Sequence, residues 1–172
     1  MKPEAAERVF VGLGANLGDA RATLAHALQA LAALPQTQCL AVSSIYRSAP
    51  VEASGPDFFN AVAELQTSLA PLALWHALQA IEQAHGRLRP YRNAPRTLDL
   101  DLLLYGERVI DEAGLSVPHP RLHLRAFVLE PLAELAPGLA HPLLGPLQAW
   151  RDQIVDQPIQ RCADGATHRI AR

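Results

Sequence analysis

The run TLDLDLLLYG at residues 97–106 restricts the fold more than any other stretch of the chain. Successive side chains of an extended strand alternate between faces, so Leu98, Leu100, Leu102 and Leu104 share one side. Thr97, Asp99, Asp101 and Leu103 share the other. The first face is wholly apolar and calls for helices packed across it. The second carries two carboxylates about 7 Å apart, from two residues of rise. They repel, and desolvating them is costly unless a cation or a donor compensates. A solvated strand end is the bland reading of such a pair, and the surrounding sequence has to decide.

The rest of the chain supplies the other layers. RVFVGLG (8–14) reads as a strand running into a turn. Leu24, Leu28, Leu31 and Leu34 form a helical stripe over 19–34, with Asp19 as the cap and Pro35 as the stop. CLAVSSIYRSAPV (39–51) reads as a second strand, and DFFNAVAELQTSL (57–69) as a third, antiparallel to it across the EASGP connection. Pro71 opens a helix with Leu74, Trp75, Leu78 and Ile81 on its buried side, and Gly86 closes it. After the leucine strand, ERVIDE (107–112) reads as a short neighbouring edge strand. Proline then punctuates the chain from Pro118, with helical pieces around 123–135 and 146–153. The last fifteen or so residues carry no pattern beyond a polar tail. The order β-α-β-β-α-β predicts a ferredoxin-like α+β sandwich on an antiparallel sheet. With no repeat, linker or low-complexity segment, residues 1–172 read as a single domain, the tail after about 155 unassigned.

At 172 residues, 49% hydrophobic and 19% charged, the chain can bury a proper core and is neither disordered nor membrane-spanning in composition. MKPEAAERVFVGLG has no apolar core of a secretory signal, and Cys39 and Cys162 lack metal-ligand spacing. Together these predict reduced thiols in a cytoplasmic protein. A net charge of −2 with 5% aromatic residues excludes a general nucleic-acid binder. The charge is unevenly spread, however. No acidic residue falls between Glu82 and Asp99, while His85, Arg87, Arg89, Arg92 and Arg96 all do. Positive charge concentrated beside paired aspartates points to a polyanion site next to a metal site; a basic surface loop is the plain alternative.

GLGANLG (12–18) follows a strand and opens a helix, which invites a dinucleotide-binding reading. Its glycine spacing is GxGxxxG, no acidic residue ends the second strand, and the chain has no GxxxxGK[ST]. The motif reads instead as a tight strand-to-helix turn, with Asn16 tolerating an unusual backbone conformation.

RNAPRTLDLDLL (92–103), VSSIYRSAPV (42–51) and VPHPRLHLRAF (117–127) resemble the 6-hydroxymethyl-7,8-dihydropterin pyrophosphokinases of folate biosynthesis. The similarity runs from about residue 9 to about 140 in the family's order and spacing. It implies a ferredoxin-like sandwich that moves the pyrophosphoryl group of ATP onto the pterin hydroxymethyl and releases AMP. It implies that Asp99 and Asp101 hold two Mg²⁺ ions, a use that suits a hard cation taking one or two carboxylates plus phosphate oxygens and water. By the same resemblance, Arg87 and Arg96 act in catalysis, and Gln79, Glu82, Arg87, Arg89, Arg96, Leu102, His119 and Arg125 face ATP. Pterin falls to Ser48, Pro50, Val51, Phe58, Asn60 and Phe127: a flat, electron-poor bicycle needs aromatic faces and fixed polar groups at its edge. Phe58 and Asn60 share a strand face, and an inward-facing strand amide must find partners. Asp101 is the candidate base by position. The expected partners are small molecules, with neither nucleic acid nor membrane, and the expected state is a monomer. The chain departs from the family at Ala94, where glycine is common, at Phe58, where some members have tyrosine, and in the arginine loop, whose nearest aromatic is Tyr91.

Two other classes use similar parts. A ferredoxin-like Mg²⁺-dependent nucleotidyl transferase would release pyrophosphate and has no use for Asn60 with two phenylalanines. A small ligand-binding regulatory domain would not require paired carboxylates beside an arginine loop. AMP release from ATP, measured with and without the pterin, separates all three.

Overall fold

β1 (Glu7–Ala15) is the axis of the sheet, pairing antiparallel along its whole length with β4 (Phe58–Thr67) and on its other side with β5 (Asp99–Tyr105). The computed structural model describes residues 5–50, 55–86, 98–162 and 168–169. Between β1 and β4 come helix α1 (Ala20–Ala32) and two strands, β2 (Thr37–Val42) and β3 (Tyr46–Ser48). Both pair antiparallel with the outer edge of β4. Helix α2 (Pro71–Gly86) joins β4 to β5. Antiparallel neighbours in the order β5-β1-β4-β2, with two crossing helices, make the ferredoxin-like α+β sandwich the sequence predicted. Beyond β5 follow a hairpin, β6 (Ile110–Glu112) and β7 (Leu115–Val117), a 3-10 turn at 122–124, and helix α3 (Ala126–Leu135). A small pair, β8 (Ala140–His141) with β9 (Gly145–Pro146), precedes helix α4 (Leu147–Gln153). Two strands close the chain: β10 (Ile159–Arg161) on β3 and β11 (His168–Arg169) on β2.

Each face of the sheet carries its own core. Leu24, Ala27 and Leu31 of α1 and Leu74, Leu78 and Ile81 of α2 pack on Val9, Val11, Leu65, Leu98, Leu100 and Leu102. Leucines that are fully buried, as Leu31, Leu74 and Leu78 are, contribute on the order of 2 kcal/mol each. On the opposite face Val128, Leu129, Leu132 and Leu135 of α3 cover Phe10, Val62, Leu103 and Leu104. Asp19 caps α1 as expected, its carboxylate accepting from Ala22 N at 3.1 Å. Among the described residues no helix is long and apolar enough to cross a membrane. Cys39 and Cys162 are both free; burial raises the Cys39 thiol pKa and keeps it unreactive.

Several expectations are corrected. Leu104 does not share a face with Leu98, Leu100 and Leu102. The register with β1 shifts between Phe10 and Val11, which pair with Leu104 and Leu102, so Leu103 is an extra residue. Past that bulge the alternation inverts: Leu104 joins Leu103 under α3, and Tyr105 turns to the α1–α2 side, where its hydroxyl donates to Leu69 O. The second strand is two strands. At Ser43 the hydroxyl accepts from Val62 N at 2.9 Å, and Ser44 gives its N–H and hydroxyl to Glu134, at 2.8 and 3.1 Å. Side-chain bonding thus takes over from the ladder and breaks the run. ERVIDE does not border β5, since its residues 110–112 pair with 115–117 in a separate hairpin. The unusual backbone in GLGANLG is at Gly18, φ +60°, and not at Asn16, whose amide donates to Pro56 O at 3.3 Å. The polar tail contains β10 and β11, which extend the sheet to seven strands among the described residues.

Candidate active site

On the α3 side of the sheet a cavity of about 390 Å³ opens over the ends of β1, β3, β4 and β5. Its floor follows from strand register. Gly14 of β1 pairs with Asn60 on one side and with Asp99 on the other. Gly12 pairs with Asp101. Directly opposed residues project from the same face, so the two aspartates and the asparagine face one space with side-chain-free backbone between them. A Cβ on Gly14 would come within 3.2 Å of Asn60 Oδ1. The glycines that failed as a dinucleotide fingerprint therefore make room for other residues' side chains.

Asn60 is 3% exposed and donates from Nδ2 to Ser48 Oγ at 2.9 Å. Its Oδ1 carries no hydrogen bond from another described residue, which leaves an acceptor for a ligand's donor edge. Phe58, from the same strand, and Phe127, from the first turn of α3, are aromatic parts of the lining. Arg125 lies 5.4 Å over the Phe127 ring and also lines the cavity, as does Arg121. Asp101 stands with His119, whose Nε2 is 3.9 Å from Asp101 Oδ1. His119 Nδ1 accepts from Arg121 N at 3.1 Å, so a neutral ring carries its proton on Nε2, toward the carboxylate. Burial lowers the His119 pKa, the Asp101 charge opposes that, and Arg125 and Arg121 lower it further.

The α3 wall is fixed to the sheet by one carboxylate. Glu134 accepts from Ser44 and, through Oε1, from Tyr46 OH at 2.6 Å. Burial and then the Glu134 bond push the Tyr46 phenol far above its ordinary range. One helical turn before Glu134, Glu130 accepts from Arg151 on both carboxylate oxygens, at 3.0 and 2.8 Å.

Of the residues the sequence singled out, Ser48, Phe58, Asn60, Asp99, Asp101, Arg125 and Phe127 line this one cavity. His119 stands behind Asp101. Pro50, at the end of β3, is half-buried and outside the lining. Gln79 and Glu82 are elsewhere, on α2; Glu82 Oε2 accepts from Leu100 N at 2.9 Å, satisfying the outer edge of β5. Leu102 is in the core under α1 and α2 because it alternates with Asp101, so its side chain does not reach the cavity. Val51, Arg87, Arg89 and Arg96 lie outside the described residues. Sequence reasoning did not single out Gly12, Gly14, Arg121 or Gln157, all of which line the cavity. Arg121 had a signal, since it falls inside VPHPRLHLRAF and carries the right charge. Gln157 had none.

Asp99 and Asp101 offer oxygen donors only, in a cavity open to solvent, with the Asp101 side chain 38% exposed. That donor set suits Mg²⁺, which keeps water and phosphate oxygens alongside one or two carboxylates.

A family model described as 7,8-dihydro-6-hydroxymethylpterin-pyrophosphokinase matches residues 10–137. The 2-amino-4-hydroxy-6-hydroxymethyldihydropteridine pyrophosphokinase of Pseudomonas aeruginosa is 53% identical over 137 residues, covering 79% of this chain and 85% of that protein. The Haemophilus influenzae protein of the same name is 40% identical over 156 residues, covering 90% and 92%. Among solved structures, Plasmodium falciparum HPPK-DHPS with SDX-DHP superposes with a TM-score of 0.72 at 12% identity. The match covers 89% of this chain but 45% of that one, so the chain spans under half the length of that neighbour, and at this identity the likeness is one of fold.

Proposed function

The chain belongs to the 7,8-dihydro-6-hydroxymethylpterin-pyrophosphokinase family, and from that premise we propose how its cavity divides the work. As a member it transfers pyrophosphate from ATP to hydroxymethyldihydropterin in folate biosynthesis. In this reading the pterin lies between Phe58 and Phe127, with its amide-like edge on Asn60 and Ser48. Asp99, across Gly14, is two strand spacings from Asn60, about 10 Å, and Asp101, two residues further along, is about 12 Å away. The hydroxymethyl group therefore points along the floor from the amide end to the acidic end.

Arg121 and Arg125 neutralise the polyphosphate from the α3 wall, and Arg87, Arg89 and Arg96 are assigned the same task on the resemblance alone. The substrate hydroxyl gives its proton to Asp101, the candidate base by position, as its oxygen forms a bond to the β-phosphorus; the bond from that phosphorus to the α–β bridging oxygen breaks, and AMP leaves. Asp99 and Asp101 would hold two Mg²⁺ ions, which when bound supply charge neutralisation on the transferring group and alignment of attack with departure. His119, whose pKa burial lowers, faces Asp101 with Nε2 at 3.9 Å and helps to orient that carboxylate. The expectation of a cytoplasmic monomer acting on small molecules, with no nucleic-acid or membrane partner, belongs to the same proposal.

The observation that carries this reading is the row Asp99–Gly14–Asn60 across three strands, which joins an acidic site and an amide site in one cavity. ATP labelled at the γ-phosphorus tests it. Label should enter the pterin product, with none in free phosphate and AMP formed in equal amount. Labelled monophosphorylated pterin with ADP would mean ordinary kinase chemistry and would overturn the reading.

A further inference from the structure

The family match ends at residue 137, yet a residue twenty positions later lines the cavity. Gln157 lies between α4 and β10 and grips the main chain beside the site with both ends of its amide. Nε2 donates to Leu124 O at 2.9 Å, and Oε1 accepts from Ala126 N at 3.0 Å. These two groups flank Arg125, which is extended at φ −121° and ψ 117°. The side-chain amide thus bonds the backbone as a neighbouring strand would.

Local sequence gives this segment little other hold. Arg125 occupies the N-cap of α3 and makes no capping bond with its side chain, so the first amide of the helix is satisfied from a remote residue. Leu124 is 50% exposed and so only partly held by packing. Two residues beyond Gln157, Ile159 pairs with Ser48, the hydroxyl that accepts from Asn60. Residues 157–159 therefore tie the Arg125–Phe127 wall to the Ser48–Asn60 wall. Ordering a glutamine side chain costs conformational entropy, which two matched backbone bonds can offset.

We propose that Gln157 is a positioning residue for the pterin cavity, holding Arg125 and Phe127 at the distance from Asn60 that the flat substrate requires. This rests on the functional reading above, and the test separates the two. On the full chain, Gln157→Ala should raise the KM for hydroxymethyldihydropterin about tenfold, the scale of one lost bond to a group that needs a partner, with a smaller fall in kcat. Hydrogen exchange at the Ala126 amide should speed up without any substrate present. Gln157→Glu, which can accept from Ala126 N but cannot donate to Leu124 O, should fall between. Arg151→Ala removes the bidentate pair with Glu130 that ties α4 to α3, outside the cavity lining, and should lower stability while leaving the pterin KM at the wild-type value.

An unchanged pterin KM in Gln157→Ala would overturn the proposal. So would a rise in Arg151→Ala equal to that in Gln157→Ala, because the residue would then act only through stability. If the wild-type chain releases no AMP in response to pterin, the functional reading fails instead. Unchanged Ala126 exchange in Gln157→Ala would then overturn the clamp as well, with no turnover needed.

Discussion

Gly14→Ala gives the sharpest test of the strand-floor geometry, because it sets stability and binding in opposite directions. The added Cβ would sit 3.2 Å from Asn60 Oδ1 and 4.0 Å from Phe58 Cδ1. The first distance is too short for an undisturbed contact, so the asparagine carbonyl must retreat by a few tenths of an ångström. Asn60 is 3% exposed and bonded to Ser48 at 2.9 Å, which limits how it can move without giving up that bond or its aim into the cavity. Losing one such hydrogen bond costs about 1–1.5 kcal/mol, or roughly tenfold in pterin affinity. The fold itself should be spared. Gly14 does not have a positive φ, and alanine recovers about 0.5–1 kcal/mol of the entropy that glycine loses in a strand. For a chain of this size that offsets the strain or raises Tm by up to about 4 °C. Calorimetric titration with the pterin, beside thermal unfolding of the free protein, reads both quantities. Gly12→Ala is the comparison, since the atoms nearest its Cβ would be Leu103 side-chain carbons at 3.5–3.6 Å, an ordinary contact. Gly14→Ala that binds pterin as the wild type does, or that unfolds before binding can be measured, would refute the argument.

Other consequences follow from the same contacts. Asp99→Ala or Asp101→Ala should cut turnover by at least about 100-fold, the scale of a lost electrostatic group at a reacting centre. Each should leave the fold intact, and near wild-type turnover at moderate Mg²⁺ would remove the metal assignment. Asn60→Ala should weaken pterin binding by about 1–3 kcal/mol while ATP binding stays nearly unchanged, and calorimetry showing equal losses for both ligands would move Asn60 out of the pterin site. Glu134→Ala orphans the Ser44 N–H and hydroxyl and the Tyr46 hydroxyl; urea unfolding should show a loss of about 2–4 kcal/mol, larger than for Tyr46→Phe. His141 accepts the Leu143 and Leu144 N–H groups on Nδ1, at 3.0 and 3.1 Å, and burial, then the His123 charge, hold its pKa below 6.5. A depressed histidine favours the fold above its unfolded pKa, so stability should fall as pH drops below about 6.5. His141→Asn keeps an acceptor but cannot titrate there, and should show a shallower fall.

Much of the fold was legible because each of its main elements announces its own burial. α1 and α2 have leucine stripes, a capping aspartate or an opening proline, and β4 is a ten-residue apolar-rich run buried through its middle. What failed did so where side chains replace backbone pairing or add a residue to it. Nothing local in LDLDLLLY marks Leu103 as a bulge, since the cause is its register with β1 and the two cores competing for leucines. The break at Ser43–Ser44 depends on Glu134, ninety residues away from Ser44.

The site divides along the same line. Asp99 and Asp101 were readable because a carboxylate pair in an apolar strand contradicts its surroundings, and such contradictions mark function more often than packing. Asn60 stood out for the same reason. Gly12 and Gly14 were visible as a motif and were read only as part of the strand-to-helix turn, because glycine spacing does not say that a strand backbone clears space for a neighbour's side chain. Only the pairing of Gly14 with both Asn60 and Asp99 says so. Gln157 is the limiting case. A glutamine in a polar tail contradicts nothing, and its meaning lies in the two backbone groups it meets, Leu124 O and Ala126 N. Those groups are present in every peptide whatever its side chains, so no pattern of residue types could have pointed to the contact. A residue that works by gripping backbone is legible from the fold and silent in the sequence.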